Sequence, residues 1–328
     1  MEPLLIVLIV LSLIFDFLNG VHDSSNIVAT IISSRSLSPR LALVLTAIAE
    51  FCGPFLFGVA VAKTIGSEII PPGLMTLPVL LAALTGAILW NLVTWYLGIP
   101  SSSSHALIGG LIGAVIAGVG VGAIRVEGLT KVFVALFLSP ILGLLVGFLF
   151  TRLVYFLARG ASMKINWFFK KAQVLTGMGL ALSHGANDAQ KTMGIITLGL
   201  VTTGYIKSFE VPTWVIAASA GAIAFGTSVG GWSLIKTLGA RFFRIRPVHG
   251  FCTQAASAPV ILGAALLGGP VSTTQVVSST IMGVGSADRV NKVRWGVAGN
   301  ILIAWLLTIP LSGLVGALTF LILQAVMK

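Results

Sequence analysis

Two stretches of this chain carry residues that could do chemistry: Asn19-Gly20-Val21-His22-Asp23-Ser24-Ser25-Asn26 and His184-Gly185-Ala186-Asn187-Asp188-Ala189-Gln190-Lys191. Each lies inside an apolar run long enough to cross a bilayer, where an ionisable group costs roughly 2.5–3.5 kcal/mol on insertion scales and so marks a site. Two further stretches are rich in hydroxyls. Pro100-Ser101-Ser102-Ser103-Ser104 and Pro270-Val271-Ser272-Thr273-Thr274 each precede an apolar helix. A helix start presents free N–H groups and a partial positive charge, and hydroxyls there add donors of adjustable direction. Ordinary N-capping accounts for one such turn. Two turns, each beside its own acidic stretch, point instead to an oxyanion gripped from both ends by Ser102, Ser103, Ser104, Ser272, Thr273 and Thr274.

A carboxylate repels an anion, so Asp23 and Asp188 are read as ligands of a cation or proton travelling beside it. Asn19, Asn26 and Asn187, with carbonyls freed at helix breaks, would supply neutral oxygens of the kind a monovalent cation accepts. An anion escorted by cations crosses a low-dielectric path far more cheaply than one alone. Lys191 takes the place of Asn26 in the second copy, and its ammonium would neutralise the anion or stand in for one mobile cation. Glu50 is a third intramembrane carboxylate, a partner for Lys191 or a proton carrier. His22, His105 and His184 are weaker signals, since a lone His is usually a hydrogen-bonded core residue.

The elements that hold these residues are membrane helices. The chain has 328 residues, 56% of them hydrophobic and only 9% charged, with a mean hydropathy of +1.04. Successive apolar runs exceed the roughly 20 residues that span hydrocarbon. The 38 glycines suit close helix contacts. Leu4 to Phe15 lacks a basic n-region and leads straight into the first acidic stretch, so it reads as a permanent helix rather than a signal peptide. A net charge of +11 would suggest nucleic acid in a soluble chain. Here the basic residues sit in short loops between apolar runs, and no nucleic-acid partner is expected. Cys52 and Cys252 form no metal spacing and no disulfide framework.

The second half retraces the first. Asp23 and Asp188 are 165 residues apart, while Pro100 and Pro270, Ser102 and Ser272, and Gly113 and Gly283 are each 170 apart. Lys63-Thr64-Ile65-Gly66 recurs as Lys236-Thr237-Leu238-Gly239. Placing the loops around 35–40, 159–171, 236–246 and 289–294 on one side collects 14 of the 20 Lys and Arg there, with Arg152, which makes that side cytoplasmic. The first half then starts outside and the second inside. The expectation is an all-α polytopic membrane protein of two inverted repeats, with interrupted helices and re-entrant hairpins at the Pro-Ser turns, whose polar tips are unsuited to lipid. The expected division is an N-terminal repeat over 1–158, a basic linker over 159–172 and a C-terminal repeat over 173–328.

The doubled motif resembles a known family. Gly20-Val21-His22-Asp23-Ser24-Ser25-Asn26 and Gly185-Ala186-Asn187-Asp188 are similar to the paired Gly-Ala-Asn-Asp signatures of the inorganic phosphate transporter (Pit) family. The contexts Phe15-Asp16-Phe17-Leu18-Asn19-Gly20 and Ala189-Gln190-Lys191-Thr192 resemble its compact bacterial members. The resemblance covers essentially the whole chain. It implies a cation-coupled phosphate symporter of the cytoplasmic membrane, not an enzyme, without cofactor or resident metal, and assembled as a homodimer. It also implies that the Asp and Asn residues serve the cations and the Ser/Thr turns, with Lys191, the phosphate. Two departures stand out: His22 replaces the signature Asn, and Lys191 replaces the Asn of sodium-coupled relatives. Bacterial relatives with this Lys are linked to proton coupling and to a neutral metal–phosphate cargo, so H⁺ is favoured over Na⁺.

Three other readings compete. Sulfate is also a tetrahedral oxyanion, but it brings no proton for Asp23, Asp188 or Glu50 to accept. An intramembrane metalloenzyme would use His22 with Asp23 and His184 with Asp188, spacings that match no established zinc motif. A passive anion channel needs no acids at such depth.

Overall fold

The computed structural model describes residues 2–97, 101–230 and 246–326. Pro100, the Lys236–Gly239 recurrence, Arg241 and Arg244 lie outside the described residues. The described chain is entirely helical, with eleven α-helices joined by short turns. They are α1 (Pro3–Ser33), α2 (Pro39–Phe57), α3 (Ala60–Lys63), α4 (Leu77–Tyr96), α5 (Ser103–Gly118) and α6 (Val126–Leu157) in the first half. The second half holds α7 (Ile165–Thr202), α8 (Thr213–Val229), α9 (Pro247–Leu266), α10 (Thr273–Asp288) and α11 (Trp295–Val326).

Local chemistry sets the ends. Proline opens α2 and α9 at the first turn, where its missing N–H costs nothing. Gly58, at φ 81°, ends α2 in a backbone conformation that a side chain would strain. Among the described residues five helices, in α1, α2, α4, α6 and α11, are long and apolar enough to cross a membrane. The outer faces of α6 and α11 expose Leu145, Leu149, Leu153, Leu314, Leu318 and Leu321, as lipid-facing surfaces do.

Both acidic stretches lie in unbroken helix, Asn19 to Asn26 within α1 and His184 to Lys191 within α7. The interruptions come instead at the turns between α4 and α5 and between α9 and α10. Carbonyls freed by a break within the acidic stretches are therefore not part of this fold. Helix α7 also begins earlier than its basic residues suggest. Lys170 and Lys171 lie on its first turns, because Ile165, Trp167, Phe168 and Phe169 give that segment an apolar face.

The repeats exchange partners. Helix α1 packs most extensively on α8 and α2 on α7, while α5 packs on α11 and α10 on α6. Each contact therefore has its counterpart with the halves interchanged, as an inverted-repeat fold requires. Glycine permits the closest approaches. A Cβ on Gly20 would lie 2.1 Å from the Ile223 carbonyl oxygen, and one on its counterpart Gly185 would lie 2.1 Å from that of Glu50. Likewise a Cβ on Gly113 would come within 1.9 Å of the Gly313 carbonyl oxygen, and one on Gly283 within 2.1 Å of Leu144's.

Candidate functional site

The interior of this bundle is polar where α1 and α7 meet the two hairpin tips. Asn19, Asp23, Asn26, Glu50, Ser104, His184, Asn187, Asp188, Lys191 and Thr273 are all buried. Hydrocarbon outside and helix on every side leave these groups only one another as partners, so their geometry is closely determined.

The two aspartates converge. Thr273 Oγ1, at the first turn of α10, stands 3.3 Å from Asp23 Oδ2 and 3.3 Å from Asp188 Oδ2. His184 Nε2 lies 3.5 Å from the same two oxygens. Asp23, His184 and Asp188 can thus offer one ligand atom each to a small cation, all within 4.8 Å of one another. One imidazole and two carboxylates from two helices form a mixed donor set that suits a proton or a cation.

The remaining oxygens follow the repeat. Asn26 Nδ2 donates to Asp23 Oδ1 at 2.9 Å and to Thr274 Oγ1 at 3.0 Å, and Thr274 donates to Asp23 Oδ1 at 2.7 Å. In the second copy Lys191 Nζ donates to Asp188 Oδ1 at 2.7 Å and to Ser104 Oγ at 2.6 Å. Its third donor reaches the Val271 carbonyl at 3.0 Å, which uses every N–H the ammonium has. Ser103 Oγ donates to Asn19 Oδ1 at 2.7 Å, and Asn19 Nδ2 donates to Asp188 Oδ2 at 3.0 Å. The hydroxyls of both tips, from opposite halves, meet at one place near the middle of α1 and α7.

The outer two hydroxyls act differently. Ser102 Oγ accepts from the His105 amide at 3.2 Å and Ser272 Oγ from the Gln275 amide at 3.3 Å, so each caps its own helix. That satisfies the third amide of each helix and leaves the first two, at Ser103 and Ser104 and at Thr273 and Thr274, directed out of the helix start. His105 and Gln275, themselves related by the repeat, face each other at 3.3 Å. Asn187 holds the second tip, donating to the Gly269 carbonyl and accepting from the Val271 amide, both at 3.2 Å.

Two partners differ from expectation. Glu50 does not meet Lys191; its Oε1 lies 2.8 Å from His184 Nδ1, because Gly185 brings α2 against α7 at that level. His184 is consequently central, touching three carboxylates, although a single His in an apolar run gives little sign of it. His22 sits at the edge, its ring 5.6 Å from that of Trp95. It lines, with Asn19, Asp23, Asn91, Ser101 and Ser103, a cavity of about 20 Å³ that gives the site its opening. That is the room of one water. Asp16 is the residue that sequence reasoning missed. It is buried one turn before Asn19 and accepts a hydrogen bond from Thr192.

Comparison with known proteins gives the family. A "Probable low-affinity inorganic phosphate transporter" of Rhizobium meliloti (strain 1021) is 46% identical over 320 residues, covering 97% of this chain and 96% of the relative. A protein of the same description from Bacillus subtilis (strain 168) is 44% identical over 329 residues, with 98% of each chain covered. A solved structure described as "The sodium-dependent phosphate transporter" superposes with a TM-score of 0.88 at 25% identity, covering 99% of this chain and 100% of the other. The model of the phosphate transporter family matches residues 19–316, which takes in both acidic stretches and both hydroxyl-bearing tips. By that match and by the close relatives that span it end to end, this chain belongs to the phosphate transporter family.

Proposed function

We propose that the chain carries inorganic phosphate across the cytoplasmic membrane as a secondary transporter, in symport with protons. The observation that carries this reading is the meeting of two capped helix starts beside Asp23 and Asp188: Thr273 stands at both carboxylates, and Ser103 and Ser104 reach Asp188 through Asn19 and Lys191. Ser103, Ser104, Thr273 and Thr274, with the free amides beside them, are the phosphate donors, and Lys191 supplies a fixed positive charge. Ser102 and Ser272 support them as caps. Asp23, Asp188, Asn19 and Asn26 hold the coupling charge, Glu50 tunes it through His184, and Asn187 sets the second tip.

Every one of the inner hydroxyls is engaged by protein, so phosphate enters only when the tips part. Ser103 and Thr273 then exchange Asn19, Asp23 and Asp188 for phosphate oxygens. A carboxylate facing the anion accepts a hydrogen bond from the hydroxyl of hydrogen phosphate but repels sulfate, which has no such donor. Protons are favoured over sodium because a cation position in the second copy is filled by the Lys191 ammonium. The basic loops face the cytoplasm. The repeats divide at 158 and 173, a metal–phosphate is an acceptable neutral cargo, and the unit is a homodimer on family likeness.

Purified protein in liposomes, given labelled phosphate under either an inward proton gradient or an inward sodium gradient, tests this. Uptake driven by protons and not competed by sulfate is expected. Uptake driven by sodium alone overturns the coupling ion, and transport of sulfate in place of phosphate overturns the cargo.

A further inference from the structure

Among the described residues four carboxylates are buried in the bundle: Asp16, Asp23, Glu50 and Asp188. Three of them have a basic neighbour. Asp23, Glu50 and Asp188 each face His184, and Asp188 is also bound by Lys191. Asp16 has none. Its Oδ2 accepts from the Thr192 hydroxyl, while its Oδ1 is fully buried without a hydrogen-bond partner. The Ser219 hydroxyl of α8, also buried and without a closed hydrogen bond, faces this carboxyl.

An ionised carboxylate in such a place lacks both water and counter-charge, and leaving a buried charge unpaired costs several kcal/mol. Lys191, one residue from Thr192, acts on Asp16 only from a distance, because its three N–H groups are taken by Asp188, Ser104 and Val271, and the Asp188 charge it pairs with opposes it. A neutral carboxyl removes the conflict. Its hydroxyl would donate from Oδ1 to Ser219, and its carbonyl oxygen would keep the bond from Thr192, so that both unsatisfied atoms find a partner. Nothing else on the surrounding helices competes for the proton. From α7 the charges bearing on Asp16 are Asp188 and Lys191. Helix α8 has no ionisable side chain, α4 has only Tyr96 at its far end, and α2 brings Glu50, held by His184. The ionisable groups of α9 and α10, His249, Cys252 and Asp288, lie toward the end of the bundle where Ser34 meets Gln173.

We infer that Asp16, Thr192 and Ser219 form a proton-binding site in which Asp16 is held as the neutral acid, and that this proton moves with phosphate in addition to the charge held at Asp23 and Asp188. The second half of that statement rests on the proton-coupled reading above; the first does not. Three helices build the site, α1, α7 and α8, and Thr192 follows Lys191 directly on α7. A shift of α7 that lets Lys191 follow phosphate parts Thr192 from Asp16; release of the proton then requires that the same opening admit water, which solvates the carboxylate in place of the lost hydroxyl.

Infrared difference spectra of the wild type between acidic and alkaline buffer should contain the carbonyl stretch of a protonated carboxyl. Asp16→Asn should delete that band, and Thr192→Val, which keeps the acid but removes one hydrogen bond, should move it to higher frequency. In liposomes Asp16→Asn should lower phosphate accumulation driven by a proton gradient at least tenfold. A band that survives in Asp16→Asn, or that sodium addition abolishes in the wild type, overturns the site. A lost band with proton-driven accumulation at the wild-type level overturns its place in coupling. Should the wild type respond to sodium and not to protons, the coupling reading fails by itself, and the spectra alone decide the site. If Asp16→Asn does not fold, the Thr192→Val shift decides it, and no shift overturns the proposal.

Discussion

Lys191 Nζ sits 2.7 Å from Asp188 Oδ1, in the same i, i+3 relation by which Asn26 Nδ2 sits 2.9 Å from Asp23 Oδ1. The two pairs are one contact repeated 165 residues apart, with an uncharged donor in one copy and a charged donor in the other. The fold thus preserves the geometry of a paired site while changing its charge by one unit.

Replacing Lys191 with Asn restores the uncharged donor of the first copy and leaves the Asp188 charge uncompensated. Phosphate uptake by Lys191→Asn should then respond to a sodium gradient imposed without a proton gradient, because Asp188 is freed to hold a mobile cation. A variant that ignores sodium entirely would show that the ammonium does not stand in for an ion.

Lys191→Met removes the charge and offers no donor in return. Asp188 keeps Asn19, Thr273 and His184, but loses the one permanent positive neighbour it has among the described residues. Breaking a buried pair in this way costs about 3–5 kcal/mol. Thermal unfolding of the detergent-solubilised protein should fall well below that of Lys191→Asn, and equal stabilities would contradict the pairing.

Asp188→Asn keeps shape and loses charge. The protein should still insert and purify, at lower stability because Lys191 loses its counter-charge, while coupled phosphate uptake disappears. Near-normal uptake would remove Asp188 from the site.

Ser103→Ala combined with Thr273→Ala deletes one hydroxyl from each tip. A hydrogen bond to a charged group contributes about 1.5–3 kcal/mol, so the pair should raise the KM for phosphate by roughly a hundredfold or more. Ser102→Ala and Ser272→Ala should act mainly on stability, about 1 kcal/mol each as lost caps. An unchanged KM in the first double variant would take the tips out of the site.

Gly113→Ala should destabilise the bundle by about 1–3 kcal/mol through overpacking, since the new Cβ meets the Gly313 carbonyl oxygen. Gly179→Ala, with nothing within 4 Å of the new atom, is the control and should be silent. Thermal unfolding of the two side by side measures the difference.

The repeat was legible in the chain because its offsets of 165 and 170 register chemistry as well as hydropathy: Asp23 matches Asp188, and Ser102 matches Ser272. Lys191 was legible as a substitution for Asn26 by the same arithmetic. Partners across the halves were not. Glu50 corresponds, through the glycine contacts at Gly185 and Gly20, to Ile223, so no repeat signal announces its role. Its meeting with His184 depends on how closely α2 approaches α7. The unbroken course of α1 and α7 also went unread, because polar residues inside an apolar run look like a break until their partners on other helices are known. Asp16 was passed over for a related reason: its counterpart, Ala181, carries no function, and only three-dimensional burial shows the carboxyl to be unaccompanied.

The interchange of α5 with α11 and of α10 with α6 gives neither repeat a complete interior of its own. Cut between Leu157 and Ile165, the gene would yield two fragments, each with a bare seam of glycine and serine that only the other can close. An ancestor carrying a single copy would have met the same need by embracing a second molecule inserted upside down.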